Sequence, residues 1–322
     1  MAVPTWSQQV DQLFTSTWAY RRKTAQEQAF LKTPLIFWLK QRGRVEDVRG
    51  FTRIEIPLDY GTNDTVRWIG RGSTVPINDP NLLTMAYEDW KYVSVSIVRY
   101  GVDDQKNRDK ARLLNLVETK LRAAERALME EFERVFFGDG TGPSEPNGLR
   151  NIIADDPTTG TLHGIDRATY TWFRNQSKTA SGAASIYLKP DMRTLMNDVV
   201  KYSNAEISDL ILVTNQTVYE LYEDEVLEEK LIVNKELGDA GFQNIAFKGR
   251  PLIWSPSAPA GKLYVINANH LKLVIDPDWF MEMTDWKVIP DQPHDRVAQI
   301  TCALNLVTDR PVVLGVLTGI SA

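Results

Sequence analysis

The chain has 322 residues, 43% of them apolar, and a formal net charge of -5. That length and apolar content support about two domains with substantial cores, while the acidic balance excludes a dedicated nucleic-acid binder, whose footprint is a basic face. A single cysteine, Cys302, leaves no internal disulfide framework and fits a reducing cytoplasm, and no stretch approaches the ~20 apolar residues of a membrane span.

Over residues 8–31, Val10, Leu13, Phe14 and Trp18 fall at helical spacing and precede the basic triplet Arg21, Arg22 and Lys23. So little apolar surface predicts a short amphipathic arm helix that needs a partner surface, with the triplet on a solvated face. From Phe51 to Ile77 the period changes to two: Ile54, Ile56, Leu58 and Tyr60 point one way, and Arg53, Glu55 and Asp59 the other. Gly61-Thr62-Asn63-Asp64 breaks the run, and Val66, Trp68 and Ile69 lead back, so a long β-hairpin is expected. Arms of about ten residues reach roughly 30 Å, and an isolated two-stranded ribbon is marginal in water. Another chain is therefore expected to cover it unless it folds back on its own domain.

Tyr92–Val98 alternates Val93, Val95 and Ile97 against Ser94 and Ser96 and reads as a strand leading into a long helix. In that helix, from Asn107 to Phe137, Leu113, Val117, Leu121, Ala124, Leu128, Phe132 and Val135 form one stripe. Glu118 with Arg122 and Glu130 with Arg134 are spaced to support it. At ~1.5 Å per residue it is a strut of roughly 45 Å. The glycines that follow it, Gly138, Gly140 and Gly142, close a helix and precede no lysine, so they do not form a phosphate-cradling loop.

An aromatic and basic loop follows at residues 164–175, then a helix from Asp191 to Tyr202 built on Met192, Leu195, Met196 and Val199. Buried strands are expected at Leu210–Val213, Pro251–Trp254, Leu263–Ile266 and Leu271–Ile275, with a helix from Thr217 to Lys230 whose acids, Glu223, Asp224, Glu225, Glu228 and Glu229, make a wet face. Two strands close the chain. Along Val297–Val307, Ile300, Cys302, Leu304 and Leu306 share a face, which makes Cys302 a buried core thiol, and Pro311–Leu317 follows.

The inventory of chemistry is thin. His163, His270 and His294 lack ligand spacing and have no cysteine pair to help them. No Gly-x-Ser-x-Gly elbow occurs, and the paired acids Asp103-Asp104 and Asp155-Asp156 sit in turn-like stretches suited to caps. What is abundant is surface that needs a neighbour: arm, hairpin, strut and aromatic loop.

Several stretches in a fixed order carry a resemblance. They are the arm, the hairpin from Phe51, Tyr87-Glu88-Asp89-Trp90-Lys91 before the Val/Ser strand, the long helix ending in Phe137-Gly138-Asp139-Gly140-Thr141-Gly142, and Asn147-Gly148-Leu149. The order continues with Gly164-Ile165-Asp166-Arg167, Trp172-Phe173-Arg174-Asn175, Lys248-Gly249-Arg250-Pro251-Leu252, Leu263-Tyr264-Val265-Ile266-Asn267 and the terminal Gly-Val-Leu-Thr-Gly-Ile. Together they resemble a tailed-bacteriophage major capsid protein of the Hong Kong 97 type over nearly the whole chain.

The resemblance implies an α+β, Hong Kong 97-like capsid fold. Its parts would be an N-terminal arm over 1–50, an extended hairpin loop over 51–90 lying across a neighbouring subunit, a peripheral domain with the spine helix over 91–208 and 284–322, and an axial domain over 209–283. It further implies hexamers and pentamers that close into an icosahedral head around double-stranded DNA, in a virion assembled in the bacterial host cytoplasm. Portal and decoration proteins would be further partners, with no cofactor, no metal, no membrane and no catalysis.

Some members of that family carry a long N-terminal scaffolding segment. Here the hairpin begins about fifty residues after Met1, and a separate scaffolding protein is expected. Other members cross-link through a lysine on the extended loop. No lysine lies between Lys40 and Lys91, and a non-covalent shell is expected. Because interface hot spots favour Trp, Tyr and Arg, the binding energy is expected at Ile54, Ile56, Leu58, Tyr60, Trp68 and Ile69, with Trp172 and Arg174 as further anchors. An encapsulin-like cellular nanocompartment enclosing a protein cargo is the second reading, and an α/β enzyme with a site built by tertiary contacts is the third.

Overall fold

In a computed structural model, which describes residues 5–32, 34–50, 52–61, 65–74, 77, 83–106, 110–203, 209–225 and 245–321, the arm is a helix, α1 (Trp6–Lys32), followed by α2 (Pro34–Gln41). Both pack on their own chain. Val10, Phe14 and Trp18 are buried, the Trp18 indole N–H donates to the Met281 carbonyl at 3.1 Å, and Leu35, Trp38 and Leu39 of α2 extend the same core. This corrects the solvated reading of the basic triplet. Arg21 donates to both carboxylate oxygens of Glu125, at 3.0 and 2.9 Å, and Arg22 pairs with Glu282, leaving Lys23 exposed. The arm finds its partner surface inside the subunit because Glu125, on the long helix, is itself buried and needs a cation.

β1 (Val45–Asp47) leads to the extended loop, whose two strands are β2 (Ile54–Asp59) and β3 (Leu83–Glu88). They pair antiparallel from Ile54↔Glu88 to Asp59↔Leu83. The hairpin is therefore real, but its return arm is Leu83–Glu88 and not the Val66–Ile69 stretch. β4 (Lys91–Arg99) and α3 (Gly101–Lys106) precede the long helix α4 (Lys110–Phe136).

On α4, Val117, Leu121, Ala124, Leu128, Phe132 and Val135 are buried as the stripe predicts; the Leu113 side chain and residues 107–109 lie outside the described residues. Glu118 pairs with Arg122 at 2.5 Å, but Arg134 takes Glu131 at 2.6 Å and Glu145 at 3.2 Å instead of Glu130. The loop after the helix turns back to bring Glu145 there. The Gly138 N–H donates to the Val135 carbonyl at 2.9 Å, closing the helix. A Cβ at Gly148 would stand 2.2 Å from the Gly138 carbonyl oxygen, so only glycine allows the return of the chain.

After α5 (Leu149–Ile152) come β5 (Thr161–Leu162), β6 (Ile165–Asp166), β7 (Gln176–Thr179) and α6 (Ala184–Ser203). α6 starts a full two turns before the expected Asp191 and carries Pro190 in its interior, because Ala184 and Leu188 are drawn into the core. Asp191 then reaches back to accept from the Ser181 N–H and hydroxyl, both at 2.8 Å. β8 (Leu210–Thr214) and α7 (Gln216–Glu225) follow; the rest of the predicted helix, with Glu228 and Glu229, lies outside the described residues. The remaining elements are β9 (Ile245–Phe247), β10 (Arg250–Trp254), β11 (Leu263–Asn267), β12 (Leu271–Ile275), β13 (Glu282–Met283), β14 (Lys287–Ile289), β15 (Gln292–Thr308) and β16 (Gly315–Thr318). Pro311 opens a 3-10 turn ahead of β16, since proline cannot donate to a ladder.

Two sheets organise the chain. In the first, β15 carries β4 on one edge, with β12, β13 and β14 on the other, and β1 adds to β12 in parallel. The second runs in the order β7-β16-β11-β8-β10-β9 and is backed by α6 and α7 around its own core. β7 and the C-terminal β16 join the second sheet, while β12 and β13 belong to the first. Cys302 is fully buried on β15, as its alternation predicts, and burial pushes its thiol up to about 12.

Candidate subunit interface

The two faces of the β2/β3 ribbon differ. Ile54, Ile56 and Leu58, exposed by 3, 5 and 1%, pack with Ala86 into the subunit's own main core. These three predicted interface positions lie in the subunit's own core, because the base of the ribbon folds back over its own chain. On the other face Leu83, Met85 and Tyr87 are exposed, a set that sequence reasoning missed although its period of two from Leu83 to Tyr87 was available.

Beyond the paired strands the exposure rises. Val66 and Ile69 are exposed, and Trp68 and Ile77 are open to solvent at 103 and 100%. The segment is not featureless: the Ser73 N–H donates to the Gly70 carbonyl at 3.1 Å and the Gly70 N–H to the Ser73 hydroxyl at 2.9 Å, forming a turn that holds Arg71 outward. An indole wholly in water forgoes the burial that usually stabilises it by about 1.5–3 kcal/mol for a large apolar side chain.

Tyr60, Trp172 and Arg174 come together just past the Asp59 end of the paired strands, opposite the Ile54↔Glu88 root. Tyr60 stacks on Trp172 with ring centroids 5.1 Å apart, Tyr170 and Phe173 meet the same indole edge-on, and Tyr60, Trp172 and Phe173 border an open cleft of about 500 Å³ with Asp309, Arg310 and Tyr202. Arg174 gives its guanidinium to the Arg167 and Ala168 carbonyls at 2.6 and 2.8 Å, which shapes the aromatic loop from within. Arg167 is buried with its donors on the Asn151 and Ile152 carbonyls, at 2.8 and 2.7 Å, and burial lowers it to about 10.

The root, at the Ile54↔Glu88 end, is fastened by polar groups. His163 accepts the Thr308 N–H at Nε2 (3.1 Å), which assigns the proton to Nδ1, and Nδ1 donates to Glu88 at 2.8 Å. Burial raises the Glu88 carboxyl, but the hydrogen bond from His163, aided by Asn147 and Lys91, outweighs it and holds Glu88 below its ordinary value. Asn305, fully buried, accepts the Asn147 N–H at 2.9 Å and donates to the Asp89 carbonyl at 2.8 Å. Neither His163 nor Asn305 stood out in the sequence, since a single polar residue among apolar ones gives no periodic signal.

Among the described residues no cluster of His, Cys, Asp or Glu is arranged to hold a metal ion, and no helix is long and apolar enough to cross a membrane. The geometry is one of adhesion: a ribbon clamped at its base and apolar at its tip.

This architecture is the fold of Hong Kong 97-type capsid proteins of tailed bacteriophages. The chain is similar to the capsid asymmetric unit of cyanophage A-1(L), with a TM-score of 0.71 at 15% identity over 91% of this chain and 94% of the other. It is similar to the capsid of the native GTA particle, with a TM-score of 0.59 at 11% identity over 88% and 91% of the two chains. An encapsulin complex from Synechococcus elongatus is also similar, with a TM-score of 0.56 at 12% identity over 88% of each chain. No protein-family model and no curated protein matches the sequence.

Proposed function

We propose that this chain is the major capsid subunit of a tailed phage, with a structural and not a catalytic role. Its copies form hexamers and pentamers that close into an icosahedral head around double-stranded DNA. The observation that supports this most is the fully exposed Trp68, beside the exposed Ile69, on a chain with a capsid fold. Such a tip is a liability for a solitary molecule and an anchor for an assembling one. In this reading the extended loop lies over a neighbouring subunit, heterologous contacts close into rings, and DNA is held without sequence readout, consistent with a net charge of -5. A scaffolding protein, a portal and a decoration protein are its further partners, and the shell is non-covalent.

The similarity to an encapsulin favours a second reading, a cellular nanocompartment around a protein cargo. Purified particles separate the two. Electron microscopy of the expressed protein, with and without its scaffolding partner, followed by assay of nuclease-protected DNA, is expected to give closed shells that hold a genome when they come from infected cells. Shells with protein cargo and no DNA would replace the first reading by the second, and a chain that stays monomeric under all conditions would remove both.

A further inference from the structure

We infer that the groove between β4 and the C-terminal end of α4 is the receptor for Trp68 and Ile69 of a second copy of this chain. The groove encloses about 140 Å³. Val93, Phe132, Val135, Phe136 and Leu304 make its apolar lining, with Tyr92 and Pro146 beside them. Tyr92 is exposed although it packs edge-on against Trp279, itself exposed, at 5.8 Å. An aromatic anchor in an apolar slot is the usual form of an interface hot spot, and the chain's own Trp68 does not fill this one.

Charge selects the occupant. Residues 65–74 hold Arg67 and Arg71, both exposed, and no acid. The groove presents Glu131 and Glu145, with Lys91 as its cation, whose ammonium is given to the Pro143 carbonyl at 2.9 Å. Arg134 bridges the two carboxylates at 2.6 and 3.2 Å, yet an ionised carboxylate offers about four acceptor sites, so each can take a second guanidinium. An apolar pair flanked by arginines thus meets an apolar floor flanked by carboxylates. A contact of this size is too small to hold two subunits alone, so it works as one anchor of a larger interface.

This inference rests on the shell reading, and single-cysteine variants test the two separately. Val66→Cys, which keeps Trp68 and Ile69, and Ser144→Cys, an exposed position at the groove, are purified as full chains, mixed, concentrated with the scaffolding partner and oxidised mildly. Cys302 is fully buried and leaves a low background. A covalent dimer that forms from this mixture, and not from Val66→Cys mixed with the exposed control Ile186→Cys, is the expected result. Particles that assemble while both mixtures give equal dimer overturn the groove and leave the shell standing. Chains that neither assemble nor cross-link overturn both.

Discussion

Two stretches of the extended loop carry the same apolar chemistry and meet opposite surroundings. At the base, Ile54, Ile56 and Leu58 lie in the subunit's own core; at the tip, Val66, Trp68 and Ile69 lie in water. The difference teaches that alternation reveals a dry face but not whose chain dries it. Burial of the base fixes where the ribbon leaves the body, and the tip stays exposed.

Several substitutions sharpen that contrast. Leu58→Ala has the largest expected effect on the subunit, a loss of about 2–5 kcal/mol, measured by urea unfolding. Assembly should fall only as far as folding does. Glu125→Ala leaves Arg21 only the more exposed Glu118 of α4, at 3.2 Å, and is expected to cost about 3 kcal/mol, with proteolysis of the arm near α1 rising in parallel. Tyr60→Ala removes the stack on Trp172 and should cost about 1 kcal/mol, read as a change in tryptophan fluorescence with little shift in the unfolding midpoint.

Acid tests the fastening of the root. The Glu88 carboxyl is held below its unfolded value, so its contribution is present above about pH 4.3 and is lost as pH falls through the lower folded value. Wild-type stability should therefore fall on going from pH 5 to pH 3 more than that of Glu88→Gln, with urea midpoints at the two pH values as the measurement. Equal losses in both proteins would take Glu88 out of the fastening.

Much of the fold is legible in the sequence because it rests on long periodic runs. The stripe of α4, the buried strands of the second sheet and the core placement of Cys302 all follow from spacing alone. What could not be read depends on distant encounters. Arg21 looks like surface until Glu125 is found opposite it, and no spacing announces that Arg174 gives its guanidinium to two backbone carbonyls. The return strand falls on Leu83–Glu88 and not on the more apolar Val66, Trp68 and Ile69, because apolar side chains mark pairing only where something covers them, and here they lie in water. The arm was expected to need another molecule for the same reason: a helix with one narrow stripe can be covered by its own chain as well as by a neighbour's.

Substitution at the tip gives the smallest expected change in the subunit and the largest in its assembly. Trp68→Ala, followed by urea unfolding of the dispersed chain and by sedimentation and electron microscopy under assembly conditions, is the most direct test. Unfolding stability should stay within about 0.5 kcal/mol of wild type, as for an exposed site, while closed particles are lost. Particles formed as readily as by wild type, or a loss of subunit stability as large as that of Leu58→Ala, would contradict the view that this tip is a surface meant for another copy of the chain.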